Sequence, residues 1–254
     1  MIIGISGKLG SGKDTAADII QKLYPFFLRK LFADKLKDFT CSILGCTREE
    51  LENREFKEDE LEEEWWYYES YSGEKVNYLD VEDHDKFDSL SWELIKLTPR
   101  RIMQLVGTEV RNLIHPNLWV NAMFQDYRLI GIRSEPLDSP HNVGSYDMLT
   151  FPNWIITDVR FPQEAKAIEE RGGILIRIER DTELRFPEFW KEFQESGFEE
   201  WDAYLMANGQ YARAYHASET SLDNYEFDHI IQNNDSLEEL EDKIKTILNG
   251  KVIS

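Results

Sequence analysis

The sequence predicts an α/β protein built on a doubly wound, mainly parallel sheet. Three observations predict it. Short apolar runs alternate with segments of helical periodicity, a glycine-rich turn separates the first run from the first helix, and 41% apolar residues in a chain of 254 suffice for a sizeable core.

Ile2-Ile3-Gly4-Ile5-Ser6 is an apolar run that breaks into glycines, and Ala16, Ile19, Ile20 and Leu23 then recur at helical spacing. This reads as strand, loop, helix. Lys30 to Ala33 reads as a second short strand, with a helix following from Asp34. Trp154-Ile155-Ile156-Thr157-Asp158 is a third strand, behind which Pro162 suits the first turn of a helix ending at Gly172-Gly173. Ile174 to Ile178 is a fourth. His229-Ile230-Ile231 is the last, and Ser236-Leu237-Glu238-Glu239 forms a capping box before a helix with Leu237, Leu240, Ile244 and Ile247 on one face.

Three segments interrupt the alternation. Residues 48 to 95 are acidic and aromatic, with Glu62-Glu63-Glu64-Trp65-Trp66-Tyr67-Tyr68 and a turn near Ser72-Gly73, and read as an insertion on the substrate side. Residues 130 to 152 are rich in Pro, Ser, Gly and Asp and read as a long loop. Residues 184 to 215 have helical tendency and lie where a mobile lid would be. The expected organisation is therefore a core part at 1–47, a substrate-side region at 48–152, core strands at 153–183, a lid-like insertion at 184–215, and a core strand and helix at 216–254. An ordinary solvated face remains the alternative for each acidic run.

The 29 Lys and Arg against 49 Asp and Glu give a net charge of −20, which argues against nucleic acid or an anionic membrane as a partner. Any anionic ligand must be held locally. No stretch approaches the length of a membrane span and the N-terminus lacks the basic flank of a signal peptide, so a cytoplasmic protein is expected. Cys41 and Cys46 match neither a redox pair nor a zinc pattern and read as free thiols.

The strongest signal is Gly7-Lys8-Leu9-Gly10-Ser11-Gly12-Lys13-Asp14-Thr15, a G-x-x-x-x-G-K pattern between a strand and a helix. Its glycines let backbone N–H groups turn toward a phosphate chain, the helix start adds partial positive charge, and Lys13 supplies a mobile cation. A nucleoside triphosphate and Mg²⁺ are the implied ligands. Asp14 stands where the pattern places a hydroxyl for Mg²⁺, so either Asp14 contacts the metal or its waters, or Thr15 takes over part of that role.

Thr98-Pro99-Arg100-Arg101 opens a helix with Ile102, Leu105, Val106, Val110 and Leu113 on its apolar face. Two arginines in a first turn oppose the helix dipole unless an anion docks beside them, although surface arginines at helix starts are ordinary. Gln104, one turn along, suits a base edge, and Arg111 lies two turns further. Asp158 ends a strand at the edge where open sheets bind ligands, suited to hold magnesium or orient an acceptor, and Arg160, two residues on, is a candidate for binding the substrate. A helix-capping Asp and a surface Arg are the plainer alternative. Of Arg177 and Arg180, one is placed to neutralise a transferring phosphoryl group. His216 reads as a structural histidine rather than a base.

Taken together, Ser6-Gly7 with Gly12-Lys13-Asp14-Thr15-Ala16-Ala17-Asp18, Phe32-Ala33 with Leu36-Lys37-Asp38, Arg100-Arg101-Ile102-Met103-Gln104 with Gly107-Thr108-Glu109, and Trp119-Val120 resemble the phage-type deoxynucleoside monophosphate kinases. Asp158-Val159-Arg160 with Glu164-Ala165, His216 with Ser218-Glu219, and Asn233 before Ser236-Leu237-Glu238-Glu239-Leu240 keep the same order. The resemblance implies a P-loop kinase core that moves the γ-phosphoryl of ATP to a dNMP with Mg²⁺, in the cytoplasm of a host where the gene is a phage's. It places the loop and Lys13 on the ATP phosphates and Lys37, Arg101, Gln104, Arg111 and Trp119 on the monophosphate. It puts Arg180 at the lid and Asn233 near the adenine. Asp14 also occurs in that family's loop. Another small-molecule P-loop kinase, of dephospho-coenzyme A or phosphomevalonate type, and a non-enzymatic nucleotide-binding module remain alternatives, and a homodimer stays open.

Overall fold

The structure is a computed structural model that describes residues 1–87, 91–132, 148–207, 216–249 and 251. It divides into two compact units, one formed by Met1–Phe32 with Val120–Ser254 and the other by Ala33–Trp119.

The first unit is built on five parallel strands: β1 (Ile2–Ser6), β2 (Phe27–Lys30), β3 (Asn153–Ile156), β4 (Ile174–Glu179) and β5 (His229–Gln232). Their spatial order is β5-β4-β1-β3-β2. The register pairs Ile3 with Ile155 on one side of β1 and with Ile174 on the other. Successive side chains point to opposite faces, and both faces are covered, as a parallel sheet requires. Ile3, Ile5, Ile155, Ile176 and Ile178 pack with Ala16, Ala17 and Ile20 of the helix Lys13–Leu23 and with Leu240, Ile244 and Leu248 of the helix Leu237–Leu248. Ile2, Trp154, Ile156 and Leu175 pack with Ala165 and Ile168 of the helix Pro162–Glu169 and with Val120, Met123 and Phe124. The sheet is therefore doubly wound, as the alternation of sequence periods predicts.

Two strand boundaries differ from the sequence reading. β2 lies at Phe27–Lys30 rather than Lys30 to Ala33, because Phe27 is the residue that fills the core while Ala33 already opens the helix Ala33–Leu44. β3 ends at Ile156, two residues before Asp158, which therefore sits in the loop beyond the strand end. The part of 130 to 152 that is described is not loop alone: Ile130–Ile132 and Met148–Thr150 pair as an antiparallel ribbon, and 133–147 lie outside the described residues. In the lid-like segment, helices Thr182–Arg185, Pro187–Glu195 and Trp201–Ala207 are present, with Trp190, Phe193, Trp201 and Tyr204 packed in an aromatic cluster. Residues 208–215 of that expectation lie outside the described residues.

The second unit holds the acidic-aromatic insertion. Helices Arg48–Glu52 and Arg54–Glu58 are capped by Thr47 and Asn53. The strands Lys75–Asn77, Trp66–Ser70 and Trp92–Lys96 form an antiparallel sheet in that order, turning at Gly73. Tyr68 is buried there among Tyr78, His84 and Phe87. The helix predicted from Thr98 is present as Pro99–Leu105 and Arg111–Ile114, joined by a π-turn at Val106–Val110. The wider π-turn rotates everything after it. Ile102 and Val106 are buried as their spacing demands, whereas Leu113, expected on the same face, is 87% exposed.

Candidate functional site

The first unit gathers its candidate functional side chains at the carboxyl ends of the parallel strands, where the order of an open sheet leaves a crevice. β1 ends at Ser6 and runs into the glycine loop, which closes with Gly12 at φ +92° as the cap of the helix Lys13–Leu23. Only glycine suits that position. The backbone is left-handed, and a Cβ on Gly12 would lie 2.3 Å from the side-chain nitrogen of Asn233. Gly7 is as closely confined: its Cβ would stand 2.4 Å from Ser11 Oγ and 2.6 Å from the Ile178 carbonyl oxygen. The first N–H groups of the helix, from Lys13 to Thr15, have no partner within it and point out at its start. Ser11 Oγ is buried without a hydrogen-bond partner among the described residues.

Around this loop the chain supplies charge from four directions. The Lys13 ammonium is held below the usual lysine range, chiefly by burial, with Asp14, Arg160, Glu219 and Asp158 adding their fields. Asp14 is ion-paired with Arg29 of β2, whose other nitrogen holds Asp18 at 3.0 Å. Thr15 is exposed in the first turn. Asp158, in the loop after β3, accepts the backbone N–H of Phe32 at 2.8 Å. Arg160 donates to Glu219 Oε1 at 3.0 Å and to Ser218 Oγ at 3.3 Å. The backbone N–H groups of Arg160 and Phe161 both donate to Glu164, at 2.7 and 3.0 Å, and desolvation pushes that carboxyl up to about 8.

Beyond β4 a cavity of about 580 Å³ opens, lined by Lys8, Ser11, Arg177, Arg180, Arg185 and Trp190 among others. Arg177 and Arg180 play different parts in it. Arg177 is buried, donates to Ser6 Oγ at 3.1 Å and pairs with Asp223 at 2.9 Å, so its charge is spent on the fold. Arg180 has a buried Nε without a partner among the described residues and remains the one available to a ligand. Arg185, not singled out by the sequence, donates to the Leu9 carbonyl at 3.3 Å. Asn233 follows β5 and donates to the Ser11 carbonyl at 2.8 Å, bracing the loop. His216 is exposed and accepts the N–H of Ser218 at the start of the turn Ala217–Thr220, the structural part read for it.

The second unit carries the other predicted residues. Arg100 pairs with Glu58 at 2.5 Å, whereas Arg101 is exposed with no ion-pair partner among the described residues. Gln104 is exposed one turn on, and Arg111 is half-buried just past the π-turn. Lys37 pairs with Glu52 at 2.6 Å. Trp119 packs against Phe39, with its indole N–H buried and without an acceptor among the described residues.

Arg29, Arg185 and Asp223 carry no signal in the sequence, and Glu219 enters it only through the motif His216 with Ser218-Glu219, without a role of its own. Among the described residues, no helix is long and apolar enough to cross a membrane.

No protein-family model matches the chain. It is 28% identical over 205 residues to the deoxynucleoside-5'-monophosphate kinase of Escherichia phage T5, covering 68% of this chain and 74% of that protein. It is also 28% identical over 185 residues to a provisionally named deoxynucleotide monophosphate kinase of Acanthamoeba polyphaga mimivirus, covering 71% of this chain and 74% of that one. Among solved structures, dephospho-CoA kinase from Campylobacter jejuni overlaps 98% of this chain and 95% of its own, at 12% identity and a TM-score of 0.39, too loose a match to bear on chemistry. The chain is thus a relative, at 28% identity, of the phage-type deoxynucleoside monophosphate kinases that its motifs resemble.

Proposed function

We propose that this protein is a cytoplasmic phosphotransferase that moves the γ-phosphoryl group of ATP to a deoxynucleoside monophosphate, giving the diphosphate. The observation that carries the reading is the glycine loop. It joins a buried parallel strand to a helix start, two of its glycines occupy space that no side chain can share, and Lys13 stands at its end. The two viral relatives support the acceptor class.

In this reading the loop backbone and the helix start hold the triphosphate, and Lys13 draws charge from its terminal oxygens. The residues fit Mg²⁺ as well. Asp14, Thr15 and Asp158 offer oxygen donors at the loop's helix and at the neighbouring strand end, a donor set suited to a hard cation that keeps part of its water. Bound there with ATP, Mg²⁺ would neutralise phosphate charge. Arg160 and Arg180 supply planar cations to the transferring and departing phosphates, Arg180 on the side of the lid-like helices. Lys37, Arg101, Gln104, Arg111 and Trp119 are assigned to the acceptor, the cations to its phosphate and Gln104 to its base. Catalysis is then mostly alignment and electrostatic neutralisation with water excluded. A preference for deoxyribose would follow from apolar packing that leaves a 2′-hydroxyl without a partner, worth about 1–3 kcal/mol.

ATP consumption against a panel of NMPs, dNMPs, dephospho-coenzyme A and a phosphomevalonate tests the assignment. Turnover is expected with one or more dNMPs and is expected to disappear in Lys13→Ala without loss of the folded state. Turnover with either of the other acceptors alone, or a folded Lys13→Ala variant near wild-type rate, refutes it.

A further inference from the structure

The turn Ala217–Thr220 delivers one carboxylate to two places. Glu219 Oε2 accepts the backbone N–H of Leu9 in the glycine loop at 2.8 Å, and Oε1 accepts from Arg160 Nη1 at 3.0 Å. Ser218 Oγ accepts from the same arginine nitrogen at 3.3 Å and is itself within 2.9 Å of His216 Nδ1, which ties the turn together. The Glu219 side chain is only 14% exposed. These contacts join the glycine loop, the segment after β3 and the turn before β5, three stretches far apart in the chain.

We infer that Glu219 is a positioning residue for phosphoryl transfer, fixing the guanidinium of Arg160 against the leading limb of the glycine loop. This rests on the kinase reading above. A guanidinium at the end of a long flexible stem stabilises developing charge only when its place is set beforehand. Glu219 sets it by binding one edge of the group. Nε and Nη2 of Arg160 keep no partner among the described residues and stay available to an anion. On the loop, Glu219 occupies the Leu9 donor alone and leaves those from Lys13 to Thr15, at the helix start, open to a ligand. Glu219 also lies close enough to favour the charged forms of Lys13 and Arg185, so the same carboxylate that holds Arg160 offsets the repulsion between Arg160 and Lys13.

The test is a double-mutant cycle of Glu219→Gln and Arg160→Ala on kcat and KM, with Arg160 reactivity toward phenylglyoxal followed by mass spectrometry. Glutamine keeps an acceptor for the Leu9 N–H and a near-identical shape, so the fold is retained. Glu219→Gln is expected to lower kcat about 10- to 100-fold while the KM for ATP stays within about threefold, and to add little once Arg160 is gone. Additive effects, or an unchanged kcat, overturn the proposal. Tighter ATP binding with faster turnover also overturns it, since the carboxylate would then be an obstacle in the phosphate position. Arg160 is expected to react several-fold faster with phenylglyoxal in Glu219→Gln, and an unchanged rate overturns the pairing whether or not the protein turns over a dNMP. Faster labelling of Arg160 in a protein that phosphorylates no acceptor would instead refute the kinase reading alone.

Discussion

The side-chain nitrogen of Asn233 lies 2.8 Å from the carbonyl oxygen of Ser11 and 2.3 Å from the place a Cβ on Gly12 would take. The last strand of the sheet thus fixes the glycine loop through a residue 222 positions away, and the loop has no room there to relax. The backbone N–H of Asn233 is spent as well, on the Glu179 carbonyl at 2.7 Å, so the residue cannot shift without breaking the end of the β4–β5 ladder.

Asn233→Ala is therefore expected to weaken ATP binding by about 5- to 30-fold, the equivalent of one hydrogen bond of ~1–2 kcal/mol. The effect should appear in calorimetric Kd for ATP with little change in acceptor KM. Gly12→Ala should abolish ATP binding outright, because a left-handed backbone and a steric conflict coincide. If Asn233→Ala bound ATP normally, the loop would owe its shape to its glycines alone.

Asp14 is expected to act through magnesium while Arg29 holds it in place. Its carboxylate is exposed yet ion-paired, and Arg29 also reaches Asp18 and, at 3.5 Å, the Thr157 hydroxyl. Asp14→Asn keeps a hydrogen-bond acceptor for Arg29 and removes only the charge. The Mg²⁺ dependence of turnover, and of ATP affinity measured by calorimetry, should move several-fold to higher concentration. Superimposable Mg²⁺ titrations would reduce Asp14 to a favourable charge in the first turn of a helix.

Glu164 is expected to make stability fall as pH rises. In the unfolded chain its carboxyl ionises near its ordinary value of 4.5, whereas in the folded protein desolvation holds the proton until about 8. Between those values the folded state keeps a proton that the unfolded state has released, so each step upward in pH favours unfolding, and the penalty is complete above about pH 8. Glu164→Gln is neutral throughout and retains an acceptor for the N–H groups of Arg160 and Phe161. Its advantage over wild type should be small at pH 5 and grow to a few kcal/mol, roughly 5–10 °C in Tm, by pH 8. Parallel melting curves across that window would show that the group ionises freely.

What the sequence made legible was local. Four of the five core strands announce themselves by period and the glycine loop does so by spacing, because each is specified locally, whereas β2, expected at Lys30 to Ala33, lies at Phe27–Lys30. Position within the sheet also follows, since Asp158 and Asn233 come just after apolar runs. Contacts closed by the fold could not be read. Leu9 and Glu219 meet across 210 positions, and Asp14 meets Arg29 only because β2 lies where Phe27 fills the core. The three-stranded sheet was hidden for another reason: in Trp66–Ser70 only Tyr68 is buried, so no clean alternation marks a strand. The π-turn left no trace either, as one added residue changes a helix face without changing composition.

Arg101 offers the sharpest separation of stability from function in the second unit. Thr98 caps its helix by accepting the Arg101 N–H at 3.2 Å and Pro99 sets the first turn, so the helix start is secured without either arginine. Arg100 is neutralised by Glu58, but Arg101 is not neutralised by any described residue. A cation left in a first turn is unfavourable by about 0.3–1 kcal/mol. Arg101→Ala should therefore leave Tm unchanged or slightly raised. If the side chain meets the acceptor's phosphate, the same substitution should cost kcat/KM for the dNMP about 10- to 150-fold, the loss of a charged hydrogen bond of ~1.5–3 kcal/mol, with ATP affinity unaltered. Arg100→Ala serves as the reference, losing an exposed ion pair of little value and no acceptor affinity. Loss of ATP binding with intact acceptor kinetics in Arg101→Ala would exchange the two assignments, and unchanged kinetics would remove Arg101 from the site.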